Sequence, residues 1–204
     1  MNAVALNQLR AELRTIAEWI KPGSRVLDLG CGDGGLLAYL QSQQNVTGYG
    51  IEIDQHNIVA AIKNNINIIQ GDVDRGLTGF DDNSFDYVVM SQTIQALHNP
   101  DKIINEMLRV GHEGIITFPN FGHWRSRIQL IFGNMPVTRT LPSSWYNTPN
   151  THLCTINDFE QFCRDFHINV LERTIVDSEH RARAFHKILP NLLGEIALYR
   201  VKKN

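Results

Sequence analysis

The chain has 204 residues, 43% apolar and 20% charged, which suits an α/β domain and argues against long disorder. A balance of 19 basic against 21 acidic side chains excludes a generally basic nucleic-acid binder, and no apolar run approaches the ~20 residues that cross a bilayer. Three cysteines in no metal-like spacing (Cys31, Cys154, Cys163) give neither a disulfide framework nor a metal site, and the opening MNAVALNQLRAEL lacks a signal peptide's apolar core, so a cytoplasmic, metal-free protein is expected.

Leu6, Leu9, Leu13, Ile16, Ala17 and Ile20 recur at helical spacing and stop at Lys21-Pro22-Gly23. A buried strand over 25–29 runs into a glycine turn, and a helix follows from Leu36. Residues 46–52 read as a second strand, 58–63 as a helix, 66–70 as a third strand and 85–91 as a fourth. Pro100 sits where a first helical turn favours proline, and the helix carries Ile103, Ile104, Met107 and Leu108 before a fifth strand over 114–118. Five such alternations predict right-handed crossovers and a parallel sheet covered on both faces.

The rhythm then breaks. Residues 119–152 hold four prolines and two tryptophans and read as an insertion, helical near 124–131, folded over the C-terminal edge of the sheet. Thr155-Ile-Asn-Asp158 has the pattern of a helix N-cap, Phe159, Phe162, Cys163 and Phe166 share one face, and 168–176 and 195–201 close the sheet. The expected architecture is α/β, a doubly wound, mostly parallel seven-stranded sheet in a single domain over 1–204.

Charge is unevenly spread. Residues 26–101 carry ten acids and two cations, Lys63 and Arg75, whereas 102–204 carry thirteen cations and nine acids. The turn Val26-Leu-Asp-Leu-Gly-Cys-Gly-Asp-Gly-Gly35 satisfies a dinucleotide pattern through Gly30, Gly32 and Gly35, but that pattern alone is weak. A dinucleotide would bring a pyrophosphate to a turn flanked by Asp28 and Asp33, with no Lys or Arg from 26 to 62. Each close like-charged contact would cost roughly 1 kcal/mol or more at intermediate dielectric. An ammonium- and sulfonium-bearing nucleoside suits the turn better, and S-adenosylmethionine (SAM) is such a ligand. Glu52, about twenty residues beyond the glycines, can accept both hydroxyls of a ribose, and Asp72 in Gln70-Gly-Asp-Val73 can accept an adenine amino group.

Glycine turn, ribose acid and adenine acid in this order resemble the class I SAM-dependent methyltransferases over about 20–118. That resemblance implies a SAM or S-adenosylhomocysteine site made by Asp28, Gly30, Cys31, Gly32, Gly34, Glu52, Asp72, Val73 and Ser91, with Ser91 near the methionine part. No catalytic residue is identified. Methyl transfer to a nucleophilic acceptor needs little beyond positioning, Cys31 reads as a space-filler, Cys163 as core, and His98 as a satisfied loop histidine rather than a base.

Within the insertion, Pro119-Asn-Phe-Gly-His-Trp-Arg125, Met135-Pro-Val-Thr138 and Trp145-Tyr-Asn-Thr-Pro-Asn-Thr-His-Leu-Cys-Thr155 resemble the MetW family of bacterial methionine-biosynthesis proteins. The resemblance implies a role beside homoserine O-acyltransferase as partner, with no settled methyl acceptor. Three functions stay open: an accessory protein that keeps a nucleoside pocket, a small-molecule methyltransferase, and a structural partner with a dead pocket. The insertion's aromatics either close a small extra core or form a recognition surface, with Arg125, Arg127 and Arg139 placed to meet anions. The basic run at 180–187 reads as a solvated loop, and neither nucleic acid nor membrane is expected as a partner.

Overall fold

The protein is described here from a computed structural model over residues 10–176 and 189–204; Leu6, Leu9 and the basic run at 180–187 lie outside the described residues. Seven strands form one sheet: β1 (Arg25–Leu29), β2 (Thr47–Glu52), β3 (Ile68–Gln70), β4 (Phe85–Ser91), β5 (Gly111–Pro119), β6 (Ile168–Val176) and β7 (Ile196–Lys203). Their spatial order is 3-2-1-4-5-7-6. The first five are parallel, and β7 runs antiparallel between β5 and β6. This is the expected mostly parallel, doubly wound α/β fold.

Period-two alternation along the strands builds both cores. Tyr87, Val89, Ile115, Ile196 and Leu198 face α1 (Ala11–Trp19), α2 (Gly35–Gln44) and α3 (Gln55–Lys63). Val88, Met90, Ile116, Phe118, Ala197 and Tyr199 face α4 (Pro100–Val110) and α6 (Ile156–Asp165). Burial on both faces explains why these strands read as continuous apolar runs. The insertion contributes α5 (Trp124–Ile131), and a short α7 (Pro190–Leu193) precedes β7.

Boundaries shift for local reasons. α3 starts at Gln55 because Asp54 caps it, accepting from the backbone N–H groups of His56 and Asn57. β3 starts only at Ile68, since Ile66 is buried in the core that holds α2 and α3. β5 starts at Gly111, where Phe85 and Tyr87 of β4 pair with Gly111 and Glu113, a stretch without apolar pattern. Thr155 and Asp158 form a reciprocal capping box on α6, as the sequence suggests.

The insertion is anchored by Asn120, 2% exposed. Its Nδ2 donates to the carbonyls of Asn191 and Gly194 at 3.0 and 2.8 Å, and its Oδ1 accepts from Gly122 and Ile156. The extra-core reading of the insertion fails: Trp124, Phe132, Trp145 and Tyr146 are 41–77% exposed.

Candidate functional site

The C-terminal ends of β3, β2, β1 and β4 lie side by side, so the topology gathers the acids and glycines picked out above into one crevice beside the switch point between β1 and β4. Asp28 lies on β1, 3% exposed, and its Oδ1 has no hydrogen-bond partner. Burial pushes its carboxyl up to about 7; Arg10 opposes the shift and Glu52 adds to it. Arg10 corrects the charge count, since it brings a cation from upstream of the strand. It is itself paired to buried Glu12 at 3.2 Å.

The turn's backbone donors are largely committed. Gly30 and Cys31 donate to the carbonyl of Ile51, Gly34 to that of Cys31, Gly32 to Glu52 Oε2 at 2.8 Å, and Gly35 to Asp33 Oδ1 at 3.0 Å. A phosphate cradle needs such donors free and aimed outward. Gly30, Gly32 and Gly34 all have positive φ. A β-carbon at Gly30 would collide with Thr93 (2.6 Å to its Oγ1) and one at Gly34 with Ile66 (2.8 Å), whereas nothing lies within 4 Å at Gly32. Gly34 is therefore a packing glycine, and Gly32 is the one open to a ligand.

Glu52, 7% exposed, also accepts from the N–H groups of Ile53 and Asp54 through Oε1, at 2.8 and 2.9 Å. With Gly32 on Oε2, three of its roughly four acceptor sites are taken, which leaves capacity for one ribose hydroxyl rather than two. Asp72 caps the short helix Val73–Arg75 through Asp74 N–H, lies 3.8 Å from exposed Arg75, and stands beside buried Val73. Ser91 meets Thr117 of β5 at 3.3 Å. Cys31 packs against the α-carbon of Gly50, and burial first, then Asp28 and Glu52, drives its thiol well above the usual range, as befits a space-filler. Cys163 is buried in the α4–α6 core.

His98 is a satisfied loop residue. Its backbone and ring both bond Asp74, at 2.9 and 3.0 Å, and the side chain is 75% exposed. The hydrogen bond that the ring donates to Asp74 raises the imidazole's pKa.

Sequence reading passed over four polar residues around the crevice. Gln92 has φ +53°, and its Nε2 donates to Glu12 at 2.8 Å, tying α1 to the end of β4. Thr93 bridges the strand ends through the carbonyls of Leu29 and Ser91. Gln95 donates to the carbonyl of Gln92, and its own carbonyl accepts from Thr151 and His152, fastening the insertion to the crevice loop. No periodicity marks these residues; only the glycine opposite Thr93 hints at a close neighbour. Beside Gln95 a cleft of about 450 Å³ opens between α4 and α6, lined by Ile104, His152, Cys154, Phe159 and Phe162.

The family model described as "Methionine biosynthesis protein MetW" matches residues 10–201. The "Bifunctional methionine biosynthesis protein MetXA/MetW" of Rhodopirellula baltica is 34% identical over 93% of this chain, which spans about a third (32%) of that relative's length. The cyclopropane-fatty-acyl-phospholipid synthase of Escherichia coli is 48% identical, but over only 22% of this chain and 12% of its own. Among solved structures, a SAM-dependent methyltransferase from Archaeoglobus fulgidus superposes with TM-score 0.68 at 17% identity, covering 98% of this chain and 95% of that one. An S-adenosylmethionine-dependent methyltransferase from Mesorhizobium loti gives 0.69 at 14% identity, covering 98% and 100%. At such identities these likenesses establish the class I methyltransferase fold.

Proposed function

Because the chain belongs to the MetW family of methionine-biosynthesis proteins, we propose that it is an accessory protein that holds SAM above the glycine turn and supports a homoserine O-acyltransferase. The observation that carries the ligand half is Asp28: a buried carboxylate oxygen without a donor calls for one, and a cationic donor matches its charge. SAM, when bound, supplies an ammonium, a ribose diol, an adenine amino group and an electrophilic methyl. Asp28 would pair with the ammonium, Glu52 accept from a ribose hydroxyl and Asp72 accept from the adenine amino group. The open space at Gly32 leaves room for close approach, with Gly30, Cys31 and Gly34 shaping the turn and Val73 and Ser91 bordering the ligand. The committed amide donors of the turn disfavour phosphorylated nucleotides.

The acyltransferase half is supported by the Rhodopirellula baltica relative, whose name joins MetXA and MetW in one chain. The decisive assay measures acyl-homoserine formation by the cognate acyltransferase with and without this protein; an unchanged rate refutes the accessory role. Calorimetry with SAM addresses the crevice. Binding that ignores both Glu52→Ala and Asp72→Ala, or a crevice that prefers NADH or ATP, refutes the ligand placement.

A second reading, a methyltransferase acting on a small molecule, is favoured by the apolar cleft beside Gln95, which adjoins the crevice loop and has the size of a small-ligand site. Transfer of labelled methyl from SAM into a cell extract, lost when the cleft is filled by Cys154→Trp, would establish it; no transfer would exclude it.

A further inference from the structure

The fold leaves a cluster of large apolar side chains in solvent on the insertion. On α5, Trp124, Ile128 and Ile131 are 41, 43 and 79% exposed, and Phe132, which ends that helix, is 77% exposed. Gln129 clamps the following segment to the helix: its Nε2 donates to the carbonyl of Val137 at 3.2 Å, and its Oε1 accepts from Val137 N–H at 3.1 Å. The helix and the segment thus form one surface, with a groove of about 440 Å³ lined by Trp124, Ile128 and Val137 and edged by Arg125 and Arg139. The Arg125 guanidinium stands 5.4 Å from the Trp124 ring centre. Tryptophan and arginine around an apolar floor are the composition of binding hot spots, and a surface rarely keeps such a patch without an occupant.

Charge selects the occupant. Residues 119–152 contain three arginines and no aspartate or glutamate, in a chain whose net charge is −2. A second copy would bring the same arginines face to face across a two-fold axis. An anionic membrane is bound by denser clusters of roughly four to eight cations, and Arg125 already lies 3.8 Å from Glu195. What fits is a folded partner whose apolar ridge is flanked by carboxylates. We propose that the groove between α5 and Val137–Arg139 is the surface by which this protein docks on the acyltransferase; the proposal rests on the accessory reading above.

The test is titration of the full chain against the acyltransferase by calorimetry or biolayer interferometry. The variants are Ile128→Ser with Val137→Ser, and Arg139→Glu, with Ile62→Ser on α3 as an exposed apolar control (55% exposed). All four positions are exposed, so folding is spared, and thermal melts verify this. The serine pair weakens affinity roughly tenfold or more, Arg139→Glu weakens it by an amount that shrinks as salt is raised, and Ile62→Ser leaves it unchanged. Wild-type binding retained by both groove variants overturns the assignment while leaving the accessory role standing. No binding by the wild-type chain overturns the accessory role, and this proposal with it. Co-sedimentation of the same variants with anionic vesicles, together with light scattering, supplies the remaining outcomes. Vesicle binding or dimerisation lost in the serine pair, with acyltransferase binding intact, gives the groove to a membrane or a second copy and overturns the proposal.

Discussion

Replacing Asp28 by asparagine should make the ligand-free protein more stable, and increasingly so as pH rises. Burial moves the carboxyl from its ordinary 3.8 to about 7, with Arg10 offsetting part of the shift and Glu52 adding to it. Below the ordinary value the group is protonated in folded and unfolded chains alike, and it contributes nothing. As pH climbs, the unfolded chain ionises first while the folded one keeps its proton, so stability falls with pH until about 7 and then levels off. At ~1.36 kcal/mol per unit, the full penalty is about 4 kcal/mol. The replacement amide does not titrate. Any fixed cost of burying it is the same at every pH, so the difference between variant and wild type isolates the ionisation. Urea unfolding at about pH 4.5, 6 and 8 measures it: the variant's relative stability should rise by a few kcal/mol across that range. The same substitution should weaken SAM binding, and wild-type affinity should tighten as pH rises toward about 7 because the carboxylate must be ionised to meet an ammonium. A stability difference that stays flat across that series would refute the reasoning about this buried acid.

Further outcomes follow from the same contacts. Glu52→Ala strips acceptors from Gly32, Ile53 and Asp54 and should cost about 1–3 kcal/mol in urea unfolding beyond its effect on ligand affinity. Asn120→Ala leaves two carbonyls and two N–H groups at the root of the insertion without their partner and should cost about 3 kcal/mol, with faster hydrogen exchange across 120–155. Asp74→Asn should return the imidazole of His98 toward its ordinary titration in an NMR pH series. In the wild-type chain that raised pKa means the pair's contribution is present at acidic pH and lost as pH rises through the shifted value.

The order of strands and helices was legible because burial on both sheet faces writes uninterrupted apolar runs such as Tyr87-Val-Val-Met90, separated by stretches of helical spacing. Strand starts were less so. Gly111 and Glu113 join β5 through backbone pairing to β4 alone, which no side-chain pattern announces. In the crevice, Asp28, Gly32, Glu52 and Asp72 stood out because acids and glycines recur at the strand ends, although Glu52 and Asp72 also accept backbone N–H groups there. Glu12, Gln92 and Gln95 could not: their significance arises from partners such as the Glu12–Gln92 pair, eighty positions apart, and from a left-handed backbone at Gln92 that glutamine does not advertise. The insertion's outward face was half visible, since composition revealed its aromatics but only three-dimensional placement shows that they face solvent.

The strand order has a consequence for how the chain is made. β7 is threaded between β5 and β6, so β6 has no neighbour to pair with when it leaves the ribosome, and the edge of β5 stays open until Ile196–Lys203 appears. Twenty-seven positions separate Val176 from Lys203, an interval of roughly one to five seconds at cellular elongation speeds. Until then the backbone groups of 114–119 lack the partners they find on β7, and this open margin is where a holdase would be most useful to the sheet.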